Sequence, residues 1–375
     1  MLSLNDFRKI ERAASKMFED FEYELIKEIA ERITAVGKAN TVVYNNVEIL
    51  QEMGVMYEDI IALVAKYNNQ AEGEIEEIFF EAGIKTLARD DTIYRMAGLN
   101  PKGFGETSMS IINASVNRTA FNIERLTGST AQASEQFFLS SLNKAYLEVS
   151  SGSKSYSQAI RDIVRQVPKG TVVTYSSGAT MSIESAVRSN ILTSLNQTCG
   201  QLQLERAREM DCDLMELTAH IDARPTHAEW QGQIVSLSGR DGYLTLDDIG
   251  YGEITGFKGI NCRHDWHPYF EGMPVTWNQD ELDELNNTKV TYNGKEMSMY
   301  DATQKQRAFE RSIRATKKQI AGYEGALNSL KGTEDGKQLE QDLKTQRQIL
   351  RNKNAGLNDF LEQTGLKKKL DRLEI

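Results

Sequence analysis

The sequence predicts a mainly helical protein with a small α+β domain at its centre. Three observations carry that expectation. Only 5 prolines interrupt 375 residues, which leaves room for long helices because proline breaks the backbone ladder. Apolar residues recur at three- and four-residue steps through the N-terminal and C-terminal thirds, the period of an amphipathic helix. Between them, residues 218–268 lose that period. This stretch is rich in glycine, lies among strand-like runs, and holds all four histidines, His220, His227, His264 and His267, together with Cys262, Trp230 and Trp266.

Composition excludes several classes. With 40% apolar residues the chain can build real cores, and 26% charged residues describe a well-solvated surface. Three cysteines, Cys199, Cys212 and Cys262, are an odd number in a long chain and predict reduced thiols, not a disulfide framework. No window approaches the ~18 apolar residues of a membrane span, and the N-terminus lacks the pattern of a signal peptide. The formal charge of -10 is unevenly spread: residues 301–375 carry 16 basic against 11 acidic side chains, leaving 28 against 43 in the first 300. An acidic body argues against wrapping a duplex, whereas the basic tail could make weak contact with nucleic acid.

Taken in order, Asn5 to Ala35 reads as one long helix, because Phe7, Ile10, Ala14, Phe18, Phe21, Leu25, Ile29 and Ile33 line a single stripe. Val47 to Tyr67 reads as a second helix and Ile75 to Leu87 as a third. The Gly- and Pro-containing run 97–108 marks a boundary. Beyond it, Met109 to Leu126 and Thr130 to Val149 are expected as a helix pair joined by the turn TGST. Ala159 to Val167 follows as a short helix, then a small hairpin beginning at TVVTY, residues 171–175. Ser182 to Met210 is expected as a central helix. Its Asn196 and Gln197 either face solvent or pin a neighbouring loop. DLMELTAH and GQIVSL then read as strands. Tyr292-Asn293-Gly294-Lys295 is a hairpin turn, since Asn-Gly favours the required positive φ. Last, residues 299–373 carry two apolar stripes broken at KGTEDG, as in an antiparallel helical hairpin or coiled coil. Those seams are thin, so they are expected to complete their burial against another chain. The resulting domain organisation is a helical region over 1–96, a helical domain with a hairpin over 97–210, the α+β domain over 211–298 and the C-terminal hairpin over 299–375.

The central stretch supports three readings. Cys262, His264 and His267 with His220 or His227 offer the thiolate and imidazoles that zinc prefers. A histidine beside Asp222 or Glu229, with Arg224 holding an anion, could serve acid–base catalysis. No nucleophile motif or phosphate loop accompanies it, because the glycine-rich run 238–259 lacks the GxGxxG spacing. It can serve as a covering flap. In the third reading, which the lack of a nucleophile motif favours, an Asp-Arg pair, carbonyl-bonded histidines and packed tryptophans form a polar scaffold, with no catalytic residues.

Four runs carry a resemblance: AVRSNILTSLNQTCGQ, HIDARPTHAEWQGQIVSLSG, YGEITGFKGINCRHDWHPYFEG and KVTYNGKEMSMYDATQKQRAFERSIRATKKQ. In these the chain resembles the tailed-phage minor capsid protein 2 family, and more distantly the Mu-type head-morphogenesis proteins. The marking residues are Asp222, Arg224, His227, Trp230 and Gly232, then Asn261, Cys262, Arg263 and His264. The resemblance implies a structural, non-enzymatic component of the virion, made in the host cytoplasm and located inside the head near the portal. Its implied partners are the portal protein and other capsid proteins, with weak contact to packaged DNA through the C-terminal helices. Some relatives are thought to enter the host with the DNA. The competing expectation is a zinc-dependent hydrolase or nuclease acting at genome entry, with zinc as its cofactor.

Overall fold

A computed structural model describes residues 2–39, 46–175, 177–369 and 373. The protein is mainly helical and carries small antiparallel sheets. Helix α1 (Leu4–Ala39) extends the expected stripe: Phe18, Phe21, Leu25, Ile26 and Ile29 are fully buried on it. Side chains spaced three and four apart point one way from a helix, so burying this face dictates its neighbours. They are α2 (Asn46–Met96), the central α6 (Ile183–Glu209) and the C-terminal α9 (Met299–Leu330).

Two expected interruptions do not occur. Helix α2 runs unbroken for 51 residues where two helices were expected. Gly73 stands in open space in mid-helix and costs about 1 kcal/mol relative to alanine. Burial of Met56, Ile60, Val64, Ile75 and Phe79 on either side outweighs that cost. Helix α3 (Glu106–Ser150) likewise continues through TGST. Its hydroxyls bond back into the helix instead of opening a turn: Thr127 Oγ1 donates to the Ile123 carbonyl and Thr130 Oγ1 to that of Leu126.

Ser155 and Gln158 form a capping box that starts α4 (Tyr156–Val164), three residues before the expected position. Pro168 then opens the helical turn α5 (Val167–Gly170) instead of ending α4. Strands β1 (Val172–Thr174) and β2 (Thr180–Ser182) make the small hairpin, and α6 follows at once. A three-stranded antiparallel sheet of order β4-β3-β5 comes next: β3 (Leu214–Leu217), β4 (Ile234–Ser236) and β5 (Trp266–Tyr269), with the helical turn α7 (Pro225–Ala228) between the first two. Behind it lie α8 (Gln279–Asn287) and the hairpin of β6 (Lys289–Tyr292) and β7 (Lys295–Ser298), where Asn293 and Gly294 both take positive φ. Helices α9 and α10 (Glu334–Thr364) pack as the C-terminal hairpin.

Three cores result. The largest joins residues of α1, α2, α3, α6, α9 and α10. A second, aromatic core lies under the small sheet and contains Tyr94, Trp230, Phe257 and Trp266. The third seats the β6–β7 hairpin on the ends of α9 and α10 around Phe360. The seam of α9 finds cover within the chain, since it packs against α1 as well as α10. Gly325 permits the approach: a Cβ there would lie 2.3 Å from the Lys27 carbonyl oxygen. Among the described residues no helix is long and apolar enough to cross a membrane.

Candidate functional site

Strand β3 ends at Leu217, and the chain then turns through His220 and Asp222 into α7. Pro225 starts that turn of helix, where its missing N–H costs nothing. His227 is thereby carried inward and buried. The returning segment enters through Asn261, in the left-handed conformation at φ 56, and delivers Cys262 and His264 just before β5. The flap 238–259 closes over them from the other side, its Phe257 fully buried and its Thr255 carbonyl reaching His227.

Three donor atoms meet. His227 Nδ1 lies 3.1 Å from His264 Nδ1, and Cys262 Sγ lies 4.0 Å and 3.8 Å from the two nitrogens. Among the described residues they form the cluster of His, Cys, Asp and Glu that could hold a metal ion, with all donor atoms within 4.8 Å of one another. Two other expected ligands are placed differently. His220 stacks on His264 at 4.0 Å between ring centroids, and its Nδ1 bonds Asp222 Oδ1 at 3.0 Å. His267 stands apart, paired in register with Glu216 and with Nε2 3.6 Å from that carboxylate.

Burial sets the electrostatics. It pushes His227 down to about 4 and His264 well below the usual imidazole range, so both rings are neutral. Burial also pushes the Cys262 thiol up. Desolvation would raise Asp222, but the hydrogen bond and charge of His220 prevail and hold its carboxyl well below the ordinary range.

The other motif residues frame this cluster. Arg224 donates to the Ile260 carbonyl at 2.9 Å, a brace across the two segments. Trp230 packs 4.5 Å from the His227 ring and 4.9 Å from His264. Gly232, at φ 72, lies so close to α8 that a Cβ would meet Leu282 at 2.5 Å. Arg263 reaches Glu11 on α1 at 2.7 Å, and Arg188 takes the other oxygen of the same carboxylate.

Several residues that matter escaped the sequence reading. Gln231 Oε1 accepts from both His264 Nε2 and the His220 backbone N–H, each at 3.0 Å. Lys258, in the flap, sends its ammonium to Asn196 Oδ1 at 2.8 Å and Asp265 Oδ1 at 2.6 Å. Burial opposes the Asp265 charge, yet the lysine holds that carboxyl low. Asn196 also donates to the Cys262 carbonyl at 2.9 Å, so this side chain pins the loop beside it. Gln197 does the same to the Lys258 carbonyl at 3.3 Å. All three cysteines are free and buried.

A family model described as "Phage minor capsid protein 2" matches residues 4–362. A "Structural protein" of Lactococcus phage LL-H is 24% identical over 313 residues, covering 78% of this chain and 81% of its own length. A "Structural protein" of Lactococcus phage mv4 is 32% identical over 89 residues, covering 23% of this chain and 63% of that relative. No solved structure matches the chain.

Proposed function

The chain belongs to the phage minor capsid protein 2 family, and on that premise we propose that it is a structural protein of the virion head, placed near the portal and facing the head interior. One observation carries the reading: the family match spans 359 consecutive positions, 4–362, and so includes the helical cores and the central cluster alike. The protein is made in the host cytoplasm and enters the head during assembly, in contact with the portal protein and other capsid proteins. The basic surplus of the C-terminal segment, including Lys367, Lys368 and Lys369, favours weak contact with packaged DNA.

The geometry speaks against the zinc hydrolase. A hydrolytic metal needs one coordination position open to water and substrate. Here His227 and His264 are each 1% exposed and Cys262 is 4% exposed, beneath the flap and Trp230.

Co-purification tests the proposal. Tagged protein expressed during infection is expected to bring portal protein with it, and to be protected from added protease in assembled heads. Recovery without portal protein, or digestion in intact heads, would overturn the placement.

A further inference from the structure

We propose that His227, His264 and Cys262 hold one zinc ion through Nδ1, Nδ1 and Sγ, as a structural staple between the α7 turn and the segment entering β5. The warrant is the direction of the hydrogen bonds around the two imidazoles, and it is independent of the virion role.

The Nε2 atom of His227 lies 2.8 Å from the Thr255 carbonyl oxygen. A carbonyl only accepts, so this nitrogen carries the ring proton. The Nε2 atom of His264 faces Gln231 Oε1, and the orientation of that amide is fixed by a chain of partners. Asn286 Nδ2 donates to the Ala228 carbonyl at 3.2 Å, so Asn286 Oδ1 faces Gln231 and accepts from its Nε2 at 2.6 Å. Gln231 Oε1 is then the remaining atom, and it already accepts the His220 backbone N–H. His264 Nε2 must therefore donate as well. Both imidazoles are 1% exposed, where a positive charge is costly, so each ring, protonated on Nε2, presents an Nδ1 lone pair, and the two lone pairs face each other across 3.1 Å.

Two acceptors at that distance repel unless a cation lies between them. One thiol proton from Cys262 can satisfy one nitrogen and leaves the other unpaired. A zinc ion satisfies both, together with the sulfur. Zinc–nitrogen bonds of about 2.0–2.1 Å and a zinc–sulfur bond of about 2.3 Å in a tetrahedron give ligand separations of roughly 3.3 Å and roughly 3.6 Å. The observed 3.1, 3.8 and 4.0 Å lie close to those edges. Each ring's second nitrogen is tied to an oxygen, the arrangement that orients metal-bound histidines. On binding, the Cys262 S–H bond breaks, the zinc–sulfur bond forms, and the proton leaves to solvent.

The test uses the full chain without a polyhistidine tag, purified from zinc-supplemented medium. Elemental analysis is expected to give about one zinc per chain. Cys262→Ser and His227→Ala are expected to lose most of it, whereas His267→Ala retains it because that side chain sits on Glu216. Should the ligand variants fail to fold, the wild-type protein exchanged into cobalt(II) still decides: a thiolate-to-cobalt charge-transfer band is expected. Folded wild-type protein with neither zinc nor that band would overturn the proposal. So would loss of metal in His267→Ala matching that in Cys262→Ser.

Discussion

Lys258 Nζ and Asp265 Oδ1 lie 2.6 Å apart, with both side chains 1% exposed. The pair joins the flap to the start of β5, and Asn196 on α6 takes another ammonium proton. Asp265 further accepts the backbone N–H groups of Leu2 and Trp266. A long cation thus organises four segments beneath the histidine cluster.

Lys258→Met removes the ammonium that bonds the buried Asp265 carboxylate. Breaking one side of such a pair costs about 3–5 kcal/mol. The double variant Lys258→Met/Asp265→Asn is expected to recover part of that loss, because it leaves no charge in the core, although the single amide oxygen can keep only one of the Leu2 and Trp266 N–H groups. Urea denaturation of the single and double variants measures both. A cost below about 1 kcal/mol for the single change, the range of an exposed pair, would contradict this role.

Gly325 and Gly73 should respond oppositely to alanine. Both lie inside helices, where alanine is intrinsically favoured by about 1 kcal/mol. At Gly73 nothing among the described residues lies within 4 Å, so Gly73→Ala is expected to stabilise the protein by nearly that amount. At Gly325 the new Cβ meets the Lys27 backbone, and Gly325→Ala is expected to cost about 1–3 kcal/mol by forcing α9 from α1. Midpoints of thermal unfolding that move the same way in both variants would show that the helix contact is not tight.

Glu19 gives the protein a pH dependence. It is buried on α1 with Oε1 lacking a hydrogen-bond partner among the described residues, and burial together with the Glu184 charge pushes its carboxyl up to about 8 from 4.5. A folded-state value above the unfolded one means that stability from the neutral carboxyl is fully present below pH 4.5 and is lost as pH rises towards 8. Glu19→Gln keeps the group neutral throughout. Its stability relative to wild type is therefore expected to increase between pH 5 and about 8. Parallel stability–pH curves for the two proteins would remove Glu19 as the source.

The fold was legible where period and caps agree. Phe7, Phe18, Phe21 and Leu25 mark α1, and Asn293-Gly294 marks its hairpin, because both signals are local. Gly73 and TGST misled for the same reason: they weaken a helix locally, and tertiary burial of residues such as Phe79 and Phe138 decides otherwise. The Asn278–Glu281 capping box of α8 is likewise a local signal, legible in its spacing. The contact of α9 with α1 joins segments about 300 positions apart, and nothing in the Gly322–Gly325 spacing names its partner.

The site was legible by composition and not by geometry. Concentration alone pointed to His227, Cys262 and His264, and it grouped His267 with them although that side chain, on β5, meets Glu216. Gln231 and Lys258 were overlooked because an amide and a lysine beside glycines resemble solvated loop residues. Their importance comes from burial, which only the packed flap creates.

Purified virions offer the most direct test of the claim that this chain is a structural part of the phage head. Quantitative mass spectrometry of DNA-filled particles, freed of unassembled protein by density gradient, should find the full chain co-banding with portal and capsid proteins in few copies per particle. Its absence from the particles, with the protein remaining in the lysate, would contradict the claim.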